Sequence, residues 1–162
     1  MKGINFFVRH GKPLEERYIG NTMIFSEKQK KQILKKVTNN VCPTDISKPY
    51  FTYLKSADAI TRMQFTDIHL WLTGDILLKA DKMSMANSLE LRVPFLDKEV
   101  FEVASQIPTK YRIDKKETKK LLRSTAEQVI GTEYAKREKW GFPVPVREWL
   151  REEPYASMVA NC

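Results

Sequence analysis

The run Trp71-Leu72-Thr73-Gly74-Asp75-Ile76-Leu77-Leu78-Lys79-Ala80-Asp81-Lys82-Met83-Ser84-Met85-Ala86-Asn87-Ser88-Leu89-Glu90-Leu91-Arg92-Val93-Pro94-Phe95-Leu96-Asp97 holds both the pattern that sets the fold class and the point where that pattern breaks. Behind it, Ile60, Met63, Ile68, Trp71, Leu72, Ile76 and Leu77 recur in steps of three and four, which predicts one or two helices over residues 57–80. Lys82 to Glu90 reads as a short polar and small-residue passage. At the far end Pro94 biases Val93 away from helical backbone and forces an extended segment, after which Asp97 can cap the next helix.

Working outward, Ser26 with Gln29 three residues on has the form of a capping box. Ile33, Leu34 and Val37 follow at helical spacing until Asn39-Asn40 and Pro43 stop the pattern. Residues 44–56 carry Pro49 and an aromatic group, Tyr50, Phe51 and Tyr53, and predict a short helix or turn. Beyond Asp97 a helix from Lys98 would bury Val100, Phe101, Val103, Ala104 and Ile107, with Pro108 just past its end. A further helix over residues 115–130 would turn Leu121, Leu122, Ala126, Val129 and Ile130 inward and stop at Gly131. Trp140-Gly141-Phe142-Pro143-Val144-Pro145 cannot form regular helix, and Val146 to Arg151 resumes a short amphipathic turn. With no alternating strand, the expected fold is all-α, as a single partial domain over residues 1–162.

At 42% hydrophobic and 30% charged, the composition is that of an ordinary globular chain. A domain of this length buries roughly two-thirds of its unfolded surface. No apolar run reaches the eighteen or so residues that span a bilayer, and the first residues lack a secretory pattern, so no membrane is expected and a cytoplasmic location is. Cys42 and Cys162 lie far apart with no metal-ligand spacing, so no metal site is expected from them. The net charge of +8 raises polyanions as partners. The Lys28–Lys36 and Lys115–Lys120 clusters, however, lie on polar faces of helical patterns, and solvated faces account for them without nucleic acid.

Chemistry is then sought at the two breaks, because binding groups are commonly held on loops by a rigid scaffold. In the first, Asp81, Lys82, Glu90, Arg92 and Asp97 interleave with apolar residues, so Glu90 and Arg92 should pair with each other or with something bound. The bland alternative is a structural ion pair with a helix cap at Asp97. In the second, Lys139 stands beside Gly141 and Phe142, where a glycine admits close backbone approach and an ammonium could meet a phosphate. Surface lysines are the commoner case, and the residues alone leave both readings open. No GxxxxGK[ST], HExxH or GxSxG occurs, and His10 and His69 make a poor histidine-based centre.

The 27-residue run from Trp71 to Asp97 strongly resembles the signature of glutamine-hydrolysing asparagine synthetases. Arg17-Tyr18-Ile19-Gly20-Asn21, Lys119-Lys120-Leu121-Leu122-Arg123 and Arg137-Glu138-Lys139-Trp140-Gly141-Phe142 are similar to the family in the same order. The resemblance implies the helical C-terminal portion of a synthetase domain of the ATP-pyrophosphatase type, which is adenine nucleotide α-hydrolase-like. It implies ATP and Mg2+ in an intact enzyme, with nothing held tightly by this portion. The implied partners are the N-terminal half of that domain and a glutaminase domain of the same protein, with ATP, aspartate and ammonia from glutamine. Residue 2 is Lys2 where a cysteine nucleophile would stand, and no SGGxDS loop occurs, so the chain alone is expected to be inactive. Lys139 matches the lysine that contacts the phosphates. Asp81, Lys82, Glu90 and Arg92 match positions at the cleft, as substrate contacts or as its wall. A related ligase with another acceptor, similar to a β-lactam synthetase, is the alternative.

Overall fold

A computed structural model of the chain describes residues 11–19, 25–35, 41–138, 141 and 144–161. The described residues are helical with no β-strand, and they divide into two compact units at Ile113/Asp114.

The first unit opens with the single turn α1 (Leu14–Arg17) and α2 (Glu27–Ile33). The capping box at α2 is present: Gln29 N–H donates to Ser26 Oγ at 3.4 Å, and Ser26 N–H donates to Gln29 Oε1 at 2.9 Å. The helix ends earlier than its apolar spacing predicts, because Leu34 is extended. Ile33 and Leu34 are exposed, so no packing sustains another turn, and short helices without packing are marginal in water. The predicted stop at Asn39-Asn40 lies outside the described residues.

Residues 44–56, expected as a short helix or turn, form α3 (Pro43–Tyr53), which begins on Pro43 and accommodates Pro49 inside it. An interior proline costs a helix a hydrogen bond. Offsetting that, α3 carries the fully buried Phe51 and Ser47, the centre of this unit's core. α4 (Ala59–Asp67) packs on α3 and adds the buried Thr66, whose hydroxyl donates to Arg62 O at 3.0 Å. The helix then continues for ten residues in π-helical form, Ile68–Leu77, and returns to α-geometry as α5 (Leu78–Ala86). Thr73 Oγ1 donates to Ile68 O at 2.7 Å, a reach of five residues that follows the widened coil. Lys82–Ala86 is therefore helix rather than a break, as suits a stretch of alanine, lysine and methionine.

The predicted irregular segment lies at residues 87–97 and includes a 3-10 turn, Pro94–Leu96. Asp97 caps α6 (Lys98–Ser105) as expected, accepting from Glu99 N at 2.9 Å and Val100 N at 3.4 Å. The burial expected of α6 is absent: Val100, Phe101 and Val103 are exposed, Val103 by 68%. α7 (Thr109–Arg112) closes the unit.

In the second unit, α8 (Lys120–Ile130) ends at Gly131, whose φ of 80° is the left-handed backbone that glycine tolerates. α9 (Thr132–Ala135) folds directly onto α8 and buries Ala135. α10 (Val146–Trp149) and α11 (Tyr155–Ala160) follow. The inward face predicted for α8 is again in water, with Leu121, Leu122, Ile130 and Val129 exposed, Val129 by 81%. Apolar stripes at helical spacing are present in both units, but the surfaces that would cover α6 and α8 are not among the described residues.

Candidate functional site

Of the residues singled out at the first break, Asp81 and Lys82 lie on α5 with exposed side chains, and Glu90 and Arg92 follow in the irregular segment. Glu90 and Arg92 pair with each other, Arg92 Nη2 to Glu90 Oε1 at 2.5 Å, on side chains 71% and 82% exposed respectively. The reading that these charges lie against a core is corrected: Leu89, Leu91, Val93, Phe95 and Leu96 are themselves exposed, Phe95 by 69%. A pair so open to water contributes about 0–1 kcal/mol, so it is no anchor for the segment. What the segment offers is two opposite charges and five apolar side chains on one short stretch.

Lys139 lies outside the described residues, as do Trp140, Phe142 and Pro143. Its described neighbours belong to the second unit. A Cβ built on Gly141 meets nothing within 4 Å among the described residues. The approach to Lys139 is tied to α8 from two positions. Arg123 Nη1 donates to Ala135 O at 3.0 Å and reaches Arg137 O at 3.5 Å. Lys136 Nζ pairs with Glu127 Oε1 at 2.5 Å, and this partner raises the lysine's pKa above its ordinary value. Lys136 is thus committed to a carboxylate, whereas Arg137 makes no ion pair among the described residues.

Two polar knots in the first unit escaped the reading of the sequence. In one, Tyr18 donates to Asp67 Oδ2 at 2.5 Å and sets its ring edge-on to Phe51. Arg62 pairs with Glu15, donates to Phe51 O and lies over the Phe51 ring. Burial, and then the Asp67 hydrogen bond, push the Tyr18 phenol well above its usual range. Together these contacts fix α1 on α3 and α4. In the other, Asp58 caps α4 through Ile60 N at 3.0 Å and Thr61 N at 3.1 Å, and accepts from the hydroxyls of Thr61 at 2.6 Å and Thr109 at 2.9 Å. The Thr61 hydroxyl, ahead of the other donors, holds the Asp58 carboxyl down at about 2. Arg112 completes the knot through Thr61 and Gln64, binding α7 to α4. The aspartate before a helical run was a usable capping signal for Asp58. Contacts across about fifty residues leave no local signal.

Among the described residues no three of His, Cys, Asp and Glu gather as metal ligands. The described residues therefore make no complete donor set for Mg2+ by themselves. No described helix is long and apolar enough to cross a membrane.

Residues 14–162 match the protein-family model described as Asparagine synthase. The chain is 53% identical over 153 residues to Asparagine synthetase [glutamine-hydrolyzing] 1 of Bacillus subtilis (strain 168), covering 94% of this chain and 24% of that protein. It is 46% identical over 151 residues to a putative asparagine synthetase [glutamine-hydrolyzing] of Mycobacterium tuberculosis (strain ATCC 25618 / H37Rv), covering 93% of this chain and 23% of that protein. Asparagine synthetase [glutamine-hydrolyzing] 3 of Bacillus subtilis is 30% identical over 132 residues, 76% of this chain and 22% of that one. No solved structure gives a significant match. The chain belongs to the asparagine synthase family, and it spans about a quarter of the length of the curated relatives it matches most fully.

Proposed function

We propose that the chain is a portion of a glutamine-dependent asparagine synthetase, the helical C-terminal part of its ATP-pyrophosphatase-type synthetase domain, working in the cytoplasm. The observation that carries this reading is the 53% identity to a glutamine-hydrolysing asparagine synthetase across 94% of the chain. Both units belong, on this reading, to one synthetase domain. The relatives give no support to an acceptor of the β-lactam-synthetase kind.

In the reaction, the aspartate side-chain carboxylate attacks the α-phosphorus of ATP and pyrophosphate leaves, giving β-aspartyl-AMP. Ammonia from glutamine then attacks the acyl carbon, AMP leaves with the bonding pair, and a proton is lost to give asparagine. Lys139 supplies a positive charge to the phosphate oxygens as the α–β bridge breaks, which favours the transition state over the bound substrate. Bound magnesium would add charge neutralisation at the phosphates. Glu90, Arg92, Asp81 and Lys82 form part of the cleft wall or meet the aspartate, and ammonia and glutamine handling belong to the glutaminase domain of the same protein. The exposed apolar stripes of α6 and α8 fit a part that packs against the rest of its domain.

The test is pyrophosphate release in a full-length synthetase carrying this chain. Lys139→Ala should lower aspartate-dependent pyrophosphate release by about a hundredfold or more while sparing glutamine hydrolysis. Equal loss of both activities would remove the phosphate role. The isolated chain, which has no SGGxDS loop, should release no pyrophosphate from ATP and aspartate, and appreciable turnover would overturn the division of labour.

A further inference from the structure

We infer that Ser88 is a further substrate-contacting residue, its hydroxyl donating to the α-carboxylate of aspartate; the inference rests on the reading that Glu90 and Arg92 stand at the synthetase cleft. Ser88 is one of two non-glycine residues with positive φ among the described ones, at 56°. A Cβ is crowded in that left-handed backbone and glycine escapes the crowding, so a serine there carries strain. Strain of this kind gathers where a side chain is needed for binding.

The turn explains the backbone of Ser88 and leaves its side chain unexplained. Where α5 ends, Ser88 N–H donates to Met85 O at 3.0 Å and Leu89 N–H donates to Ser84 O at 2.9 Å. These are the two bonds of the helix stop that glycine ordinarily occupies. Asn87 Nδ2 donates to Met83 O at 2.9 Å, so the carbonyls of Met83, Ser84 and Met85 are all satisfied without the serine hydroxyl. Ser88 is exposed, and the only hydrogen bond it donates among the described residues is from its backbone.

Ser88 and Glu90 are two residues apart, so their backbones lie within about 7 Å of each other. Arg92 Nη2 meets Glu90 Oε1, which puts both charges on one side of the segment. A guanidinium, a carboxylate and a hydroxyl within that reach match the amino-acid end of aspartate. Arg92 and Ser88 donate to its α-carboxylate, and Glu90 accepts from its ammonium. That end does not react, because the side-chain carboxylate is the one adenylated. A hydrogen bond to it is made equally in the bound substrate and in the transition state, so its loss is felt in KM far more than in kcat.

The experiment uses a full-length synthetase carrying this chain, with Ser88→Gly, Ser88→Ala and Arg92→Gln compared for aspartate-dependent pyrophosphate release and melting temperature. Ser88→Gly removes the hydroxyl and relieves the backbone. It should melt no lower than wild type yet raise KM for aspartate about tenfold, with kcat falling less than about threefold. Ser88→Ala removes the hydroxyl and keeps the crowded Cβ, so it should raise KM by a similar factor. A residue that served only the fold would not weaken aspartate binding while melting held. If Ser88→Gly raises KM and a folded Ser88→Ala does not, backbone freedom is the cause and the hydroxyl contact is overturned. Where Ser88→Ala does not fold, Ser88→Gly carries the test: a raised KM for aspartate at an unmoved KM for ATP supports the contact, and a wild-type KM for aspartate overturns it. If Arg92→Gln raises KM for aspartate and neither serine variant moves it by more than about twofold, the serine contact fails while the cleft reading stands. If none of the three moves it, the cleft reading fails and the contact fails with it.

Discussion

Replacing Asp58 by alanine removes several contacts at once, because one carboxylate caps α4 and ties α7 to it. Loss of a helix cap costs about 1 kcal/mol. The hydroxyl bonds from Thr61 and Thr109 add about 0.5 kcal/mol each at a position this open to water, for a total near 2 kcal/mol. The acid dependence gives an independent figure. Folding lowers the Asp58 pKa from 3.8 to about 2, chiefly through the Thr61 hydroxyl. At face value that is about 2.4 kcal/mol, and for a side chain 48% exposed solvent screening reduces it to about 1 kcal/mol. A folded pKa below the unfolded one means that this contribution is complete above about pH 4 and is lost as pH falls through about 2. The assay is urea unfolding followed by helical circular dichroism, for wild type, Asp58→Ala and Asp58→Asn, at pH 5 and again near pH 2. Wild type should exceed Asp58→Ala by about 2 kcal/mol at pH 5, and the gap should narrow by about 1 kcal/mol at the lower pH. Asp58→Asn keeps a capping oxygen without the titration, so its gap to Asp58→Ala should stay level. A difference below about 0.5 kcal/mol at pH 5, or a wild-type gap that ignores pH, would refute the knot as the link between α4 and α7.

Phe51→Ala empties the fully buried centre of the first unit and should cost about 3–5 kcal/mol in the same assay; a loss under about 1 kcal/mol would mean that α1, α3 and α4 do not share that core. Tyr18→Phe deletes the donor to Asp67, whose Oδ1 has no partner among the described residues, and should cost about 1–3 kcal/mol, with a neutral result counting against the knot. Because folding raises the Tyr18 pKa above 10.0, its contribution is full below pH 10 and declines as pH rises further, which ultraviolet titration of the phenolate checks by finding one tyrosine that ionises late.

Local signals in the sequence carried well where the cause was itself local. The Ser26–Gln29 box, the Asp97 cap, the Pro94 break and the Gly131 stop each depend on a few neighbouring residues, and each is present. Burial did not carry. Val100, Phe101 and Val129 sit at correct helical spacing, but spacing states which face is apolar and not whether anything covers it. The π-helical stretch was illegible because Ile68–Leu77 has the same apolar steps as an α-helix, and only the reach of each hydrogen bond differs. At the site, the Glu90–Arg92 pair was open to sequence reasoning because it lies within three residues. Arg62 with Glu15, Arg112 with Gln64 and Arg123 with Ala135 join distant positions, and nothing in the sequence near either partner points to the other.

The uncovered side chains from Leu89 to Val103 also bear on how such a chain survives in a cell. Exposed apolar side chains of this kind are what holdase chaperones bind and what drives self-association during folding. Expressed by itself the chain would spend its apolar stretch on whatever is nearest, so its yield should depend on concentration and chaperone supply. Joined to a covering surface, the same residues make folding of the two parts one cooperative event, and a substitution such as Phe95→Asp would then be felt as lost abundance before it was felt as lost catalysis.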